Sequence, residues 1–176
     1  LKAHAADTDA HGQNTAVGHS AGSALTDGVG NTAVGAGAMG IGVVEGDHNV
    51  AVGRKSLYDL TSGANNIAVG VDAGANITTG SDNVAVGMTA LEAMQAGSNN
   101  IAIGKNAMAD INRSNSDSNI AIGSDALDAC GSTHDNYSNI AIGDDAMGAT
   151  CSGQRILNVA VGRFALTAVT SGDNNT

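Results

Sequence analysis

Apolar and polar positions along this chain follow one repeating order. A three-residue run, x-Ala-Val/Ile with x always Thr, Val or Ile, is entered by Asn and left by Gly. Two variable residues come next, then a small residue and an apolar one. Another apolar position usually follows three residues later, as at Leu25, Leu60, Ile77, Met94, Ile111 and Val169. A polar stretch such as Thr61-Ser62-Gly63-Ala64-Asn65 closes the unit. The β-branched residues two apart predict a short strand, since alternate side chains of a strand share a face. The Gly, Ser, Thr, Asp and Asn clusters predict turns, because these residues tolerate positive φ or bond their own backbone.

The order is kept for most of the chain. The phrase is first complete at Asn14-Thr15-Ala16-Val17-Gly18. It returns at Asn31, Asn49, Asn66, Asn83, Asn100, Asn119, Asn139 and Asn158, and a tenth copy opens at Asn175-Thr176. Steps of 17–20 residues separate successive Asn residues. Self-similarity at such a period is the signature of stacked repeats. The fold class expected is therefore all-β, a parallel β-solenoid or β-roll of about nine coils over residues 14–176. Residues 1–13 lack the full phrase and read as a degenerate repeat or a linker. At one coil per strand spacing of about 4.8 Å, the array is a rod on the order of 43 Å long. Both end coils resemble the rest and carry no cap, so the array is expected to continue on either side.

Each column of the repeat has an expected role. The x and Val/Ile positions, such as Val50 with Val52 or Ile101 with Ile103, are expected to fill the coil interior. The Ala between them then faces outward, at Ala16, Ala33, Ala51, Ala68, Ala85, Ala102, Ala121, Ala141 and Ala160. A position that is Ala in all nine copies implies a close second surface, and the expected surface is another copy of the chain. The closing Gly (Gly18, Gly35, Gly53, Gly70, Gly87, Gly104, Gly123, Gly143 and Gly162) suits a sharp corner or a close backbone approach. The opening Asn residues are expected to stack as a hydrogen-bonded ladder. The segment after Gly, as in Ser56-Leu57-Tyr58-Asp59-Leu60, reads as a second short strand with a bend or as one helical turn. A strand is the expected form, since a lone helical turn is marginal.

Composition agrees with thin, regular layers. Among 176 residues there are 25 Gly, no Pro, no Trp, one Phe and two Tyr, so the aromatics that normally supply much of a globular core are nearly absent. The net charge of −10, from 17 acidic and 7 basic residues, argues against nucleic acid and against an anionic membrane surface. No apolar run is long enough to span a membrane. Cys130 and Cys151 lie 11 and 12 residues after the Asn of successive coils. A strand spacing of about 4.8 Å falls within disulfide range, so a staple between them is one expectation and two half-buried thiols the other. Two cysteines do not fix a redox compartment.

Candidate chemistry is sparse. His4, His11, His19, His48 and His134 form no H-x-x-x-H pair, whereas a metal site needs three or four converging ligands. No nucleophile-elbow or phosphate-loop motif occurs. Asp144-Asp145 falls in a variable column that elsewhere holds Arg54-Lys55, Val71-Asp72 and Lys105-Asn106, which marks a solvated edge. The Gly-Gly-x-Gly-x-Asp nonapeptide of calcium-binding rolls is missing. The expectation is no enzyme activity, no cofactor and no metal.

The phrase Asn-x-Ala-Val/Ile-Gly, followed by x-x-Ala-Leu and a Gly/Asn turn, resembles the head repeats of trimeric autotransporter adhesins. It is similar also to the Asn-Thr-Ala-Val-Gly arrays of phage tail fibres. The resemblance covers Asn14 to Thr176, although adhesin head coils are shorter than those here. It implies an extracellular, cell-surface or virion location and a structural or adhesive segment of a homotrimeric fibre. The implied partners are the chain itself and a host, matrix or cell-surface receptor. A monomeric solenoid that acts as a spacer, or that polymerises end to end, is the alternative. The longer turns at residues 112–118 and 132–138, the second with Tyr137, are the first places to look for partner contact.

Overall fold

A computed structural model describes residues 13–111, 116–128, 136–148, 153–168 and 171–176. Nine three-residue strands, one per phrase, stack in a single parallel sheet: β1 (Thr15–Val17), β2 (Thr32–Val34), β3 (Val50–Val52), β4 (Ile67–Val69), β5 (Val84–Val86), β6 (Ile101–Ile103), β7 (Ile120–Ile122), β9 (Ile140–Ile142) and β11 (Val159–Val161). The chain therefore winds as a β-solenoid, and its described residues include no helix. Register is strict. Ala68 sits opposite Ala51 on one side and Ala85 on the other, and the flanking residues align likewise. A second parallel sheet, β8 (Asn136–Tyr137), β10 (Arg155–Ile156) and β12 (Gly172–Asp173), runs along the polar turn of the last coils.

The faces of the main sheet are opposite to the expected ones. The middle Ala of eight of the nine strands is buried, with Ala33, Ala51, Ala68, Ala102, Ala121 and Ala141 at 0% exposure, while both neighbours of each are partly or well exposed. The alanines Ala16, Ala33, Ala51, Ala68, Ala85, Ala102, Ala121, Ala141 and Ala160 thus line the inside of the coil and are not an oligomer interface. Ala16, in the first strand, is the half-buried member. The reason is the thinness of the coil. A Cβ built on Gly22, on the opposite wall, would lie 3.0 Å from the Ala16 Cβ. Only a methyl fits between two walls that close. The remaining interior is filled from the opposite wall by Leu57, Leu91, Met108, Leu127 and Met147, and by Leu60, Ile77, Met94 and Ile111, all essentially inaccessible. Burying each such side chain contributes about 1.5–3 kcal/mol, so the core is built from that wall.

That wall is neither strand nor helix. In coil three Lys55 and Leu57 have φ of 56° and 46°, and the same two positions are left-handed at Thr89 and Leu91, Asn106 and Met108, and Asp125 and Leu127. Alternate backbone N–H groups leave the coil. Lys55 donates down to Ala36 O at 3.0 Å, and Leu57 and Asp59 donate up to Ala73 O and Ala75 O at 3.1 and 2.9 Å. A helical turn would have directed these donors to its own carbonyls four residues back. Where the apolar left-handed position is instead Gly, at Gly22 and Gly74, the Cδ1 of Leu25 or Ile77 occupies the space its Cβ would need.

The closing glycines sit at φ between 125° and 142°, outside the range of L side chains. A Cβ on Gly70 would come within 2.4 Å of Gly87 O in the next coil. Corner conformation and close stacking therefore both demand Gly there.

Candidate interaction surface

The opening Asn residues from Asn31 to Asn158 are buried and form a continuous ladder. Asn66 Oδ1 accepts the backbone N–H of Asn83 at 3.1 Å and one Nδ2 hydrogen of Asn83 at 3.1 Å. The other Nδ2 hydrogen of Asn83 goes to Gly97 O at 2.8 Å. The same pattern recurs from Asn31 to Asn158, and Asn14 and Asn175 join it at the two ends. Both amide hydrogens and the oxygen are thus satisfied in a dry site, as buried amides require. The ladder is a structural spine with no group left over for a ligand.

Turning Ala inward turns the β-branched residues outward. Two parallel columns cover the outer face of the main sheet: Thr15, Thr32, Val50, Ile67, Val84, Ile101, Ile120, Ile140 and Val159 in one, and Val17, Val34, Val52, Val69, Val86, Ile103, Ile122, Ile142 and Val161 in the other. No charged residue interrupts either column. Exposure is substantial for large apolar residues, at 42% for Ile67, 39% for Ile103 and 67% for Val161. Single exposed apolar residues are ordinary, but a contiguous apolar face nine strands long marks an interaction surface.

Comparison with known protein families, with characterised proteins and with solved structures finds no match to this chain.

The other candidate residues are not drawn together. His19 and His48 are partly or well exposed and lie in different coils, with His48 packed over Gly30. His4, His11, His134, Cys130 and Cys151 lie outside the described residues, and so does the disulfide expectation. Among the described residues no three His, Cys, Asp or Glu side chains are placed to hold a metal ion. Asp144 pairs with Arg163 at 3.1 Å on the exposed edge, and Asp145 occupies a left-handed turn position at φ 55°. Of the two longer turns, residues 116–118 and 136–138 are described, and Tyr137 is half-buried in β8.

Two features were not visible in the spacing. Arg155 is completely buried in a column where shorter coils carry Gly63, Gly80 or Gly97, and its Nη1 donates to Met147 O at 2.6 Å. Burial pulls its pKa down to about 10, so it stays charged at neutral pH. Asp128 is the second. Desolvation, reinforced by the nearby Asp110 and Asp125 carboxylates, raises its pKa from 3.8 to about 6, against an opposing hydrogen bond from Ala109 N at 3.0 Å.

A raised carboxyl pKa means that the native state holds its proton where the unfolded chain has released it. The contribution of Asp128 is therefore fully present below about pH 4, falls as pH rises towards about 6, and is level above that. Asp128→Asn keeps the acceptor oxygen and removes the charge. After discounting for partial exposure, we expect a gain of about 1 kcal/mol at pH 7, or roughly 2–4 °C in melting temperature, that vanishes near pH 3.5. Thermal melts of both proteins across pH 3.5–7 test this; a gain that persists at the acid end contradicts it.

Proposed function

We propose that this chain is a structural and adhesive segment of an extracellular homotrimeric fibre, of the bacterial-surface or phage-tail kind that its repeat resembles. The observation that carries the reading is the outer face of the main sheet, two uninterrupted β-branched columns left exposed by a single chain. A second copy offers the same flat face with the same rung spacing, so chains laid side by side in register cover one another's columns. Obligate interfaces of this kind resemble a domain core cut in half. The net charge of −10 keeps the remaining faces soluble and mutually repelling, which favours closed association through the apolar face over random aggregation.

The test is Val69→Lys combined with Ile103→Lys. Both residues are more than a third exposed, so each coil should tolerate the change within about 0.5–1 kcal/mol. The expected result is an unchanged β circular dichroism spectrum with a fall in sedimenting mass to one chain. A variant that keeps the wild-type mass contradicts the assignment of this face.

A further inference from the structure

The wall opposite the strand face contains a slot. In coil two Ala36, Gly37 and Gly40 stand in the three outward columns that coil one fills with His19, Ser20 and Ser23, and coil three with Arg54, Lys55 and Tyr58. The register is fixed by backbone bonds: Gly37 N donates to His19 O at 2.9 Å, Lys55 N to Ala36 O at 3.0 Å and Ile41 N to Tyr58 O at 3.1 Å. One coil with nothing larger than a methyl between two that carry larger side chains leaves an open cavity of about 380 Å³. That lies towards the small end of the range for small-molecule sites.

Its chemistry is polarised. Arg54 and Lys55 are the only adjacent pair of cationic residues in a chain of net charge −10. Of the two cations lining the slot, Arg54 is bonded to Asp72 at 2.5 Å, while Lys55 is exposed, with Nζ 5.0 Å from the Tyr58 ring centroid and no ion pair among the described residues. The facing wall presents polar groups: Ser20 Oγ lies 3.3 Å from His19 Nδ1, and Ser23 Oγ is held by Gly40 O at 2.8 Å. The Tyr58 ring rests on the bare backbone of Gly40, where a Cβ would come within 2.8 Å of its Cε2. Gly40 is thus what lets the ring lie down along the slot.

A cation and an aromatic edge on one side, hydroxyl and imidazole groups on the other, and a floor one strand spacing deep fit a small hydroxylated ring bearing an anion. We propose that this slot binds a carboxylated saccharide residue, its carboxylate on Lys55, its ring against Tyr58 and its hydroxyls towards Ser20 and His19. Charge-assisted bonds of this kind are about twice as strong as neutral ones, so the carboxylate should dominate affinity. The slot lies on the wall opposite the strand face, so association through the strand face does not require it to be covered, and the proposal does not rest on the trimer.

The experiment is calorimetric and saturation-transfer NMR titration of the 176-residue chain with methyl glucuronide and with methyl glucoside, which differ in the carboxylate. The glucuronide should bind at least about tenfold more tightly, with an advantage that shrinks as salt is added. Lys55→Gln should remove most of that advantage. Ala36→Met, which copies Met88 from the same column, should fill the slot and abolish binding of both sugars without unfolding the coil. Lys105→Gln, on the same wall outside the slot, should change nothing. A glucuronate oligosaccharide titrated alongside separates recognition of a single residue, with equal affinity per residue, from recognition of a chain. Equal affinity for glucuronide and glucoside, no saturable binding of the glucuronide by the folded chain, or unaltered binding by Ala36→Met overturns the proposal.

Discussion

Ala85→Glu should unfold the coil that contains it. Ala85 is 1% exposed and aligned with Ala68 and Ala102, in an interior with room for a methyl. A glutamate there meets two costs. Overpacking a well-filled core typically costs 1–3 kcal/mol, about 2 here. An unpaired carboxylate in an apolar interior adds several kcal/mol more, roughly 3–5, because no cation lines the coil at this level. In a stacked array each coil is stabilised by its neighbours, so loss of one coil also removes the interfaces on both sides of it. The expected outcome is loss of cooperative thermal unfolding and of β circular dichroism over the central coils. A folded chain of merely reduced mass would instead put Ala85 on an exterior contact face, contrary to the burial seen.

Asn83→Ala should cost about 3 kcal/mol. The truncated side chain leaves the Gly97 carbonyl and the Asn100 N–H without the partners they have at 2.8 and 3.0 Å. Each buried orphan costs about 1–3 kcal/mol. Asn100 Nδ2 keeps its bonds to Ser98 O and Ser116 O, and Asn66 Oδ1 keeps the Asn83 N–H, so the damage is confined to two groups. Asn83→Asp preserves the shape but points an acceptor at the Asn66 oxygen and the Gly97 carbonyl. It should be worse than Ala at pH 7 and recover on acidification, when a protonated carboxyl can donate again. Denaturant unfolding of the three proteins at pH 7 and pH 4 checks the order; an Asp variant as stable as wild type at pH 7 would mean that the ladder does not hold the coils.

These two residues also show what the repeat made legible. The Asn column combines invariance with a side chain that can only stack on itself, so its ladder followed from spacing alone. The Gly column did too, because positive φ and close approach both exclude a Cβ. The Ala column was equally invariant, and its closeness to a second surface was read correctly. Which surface was not: alternation in a strand separates two faces but does not say which is inside. In most sheets the β-branched residues go inward. Here the coil is too thin to hold them, since Leu57, Leu91 and Met108 reach across from the opposite wall and leave only methyl-sized room. That wall was misjudged for a related reason. Leu57 and Leu91 at positive φ contradict local propensity, and the inter-coil hydrogen bonds and the burial of their side chains sustain them. Asp128, Arg155 and the slot at Gly40 depend on which columns come together between coils, and become visible once the register is known.

Reversing the faces strengthens the case for association. Nine outward alanines would present a narrow, weakly apolar strip. Eighteen outward positions, all Thr, Val or Ile and all on one flat sheet, present a surface that water covers poorly. Longer exposed β-branched faces are the ones that proteins cover or pair. The most direct test is sedimentation equilibrium of the wild-type chain at several concentrations. A fibre segment built through this face sediments at three times the 17.2 kDa chain mass. A species of 17.2 kDa at every concentration, with the face left in water, would contradict it.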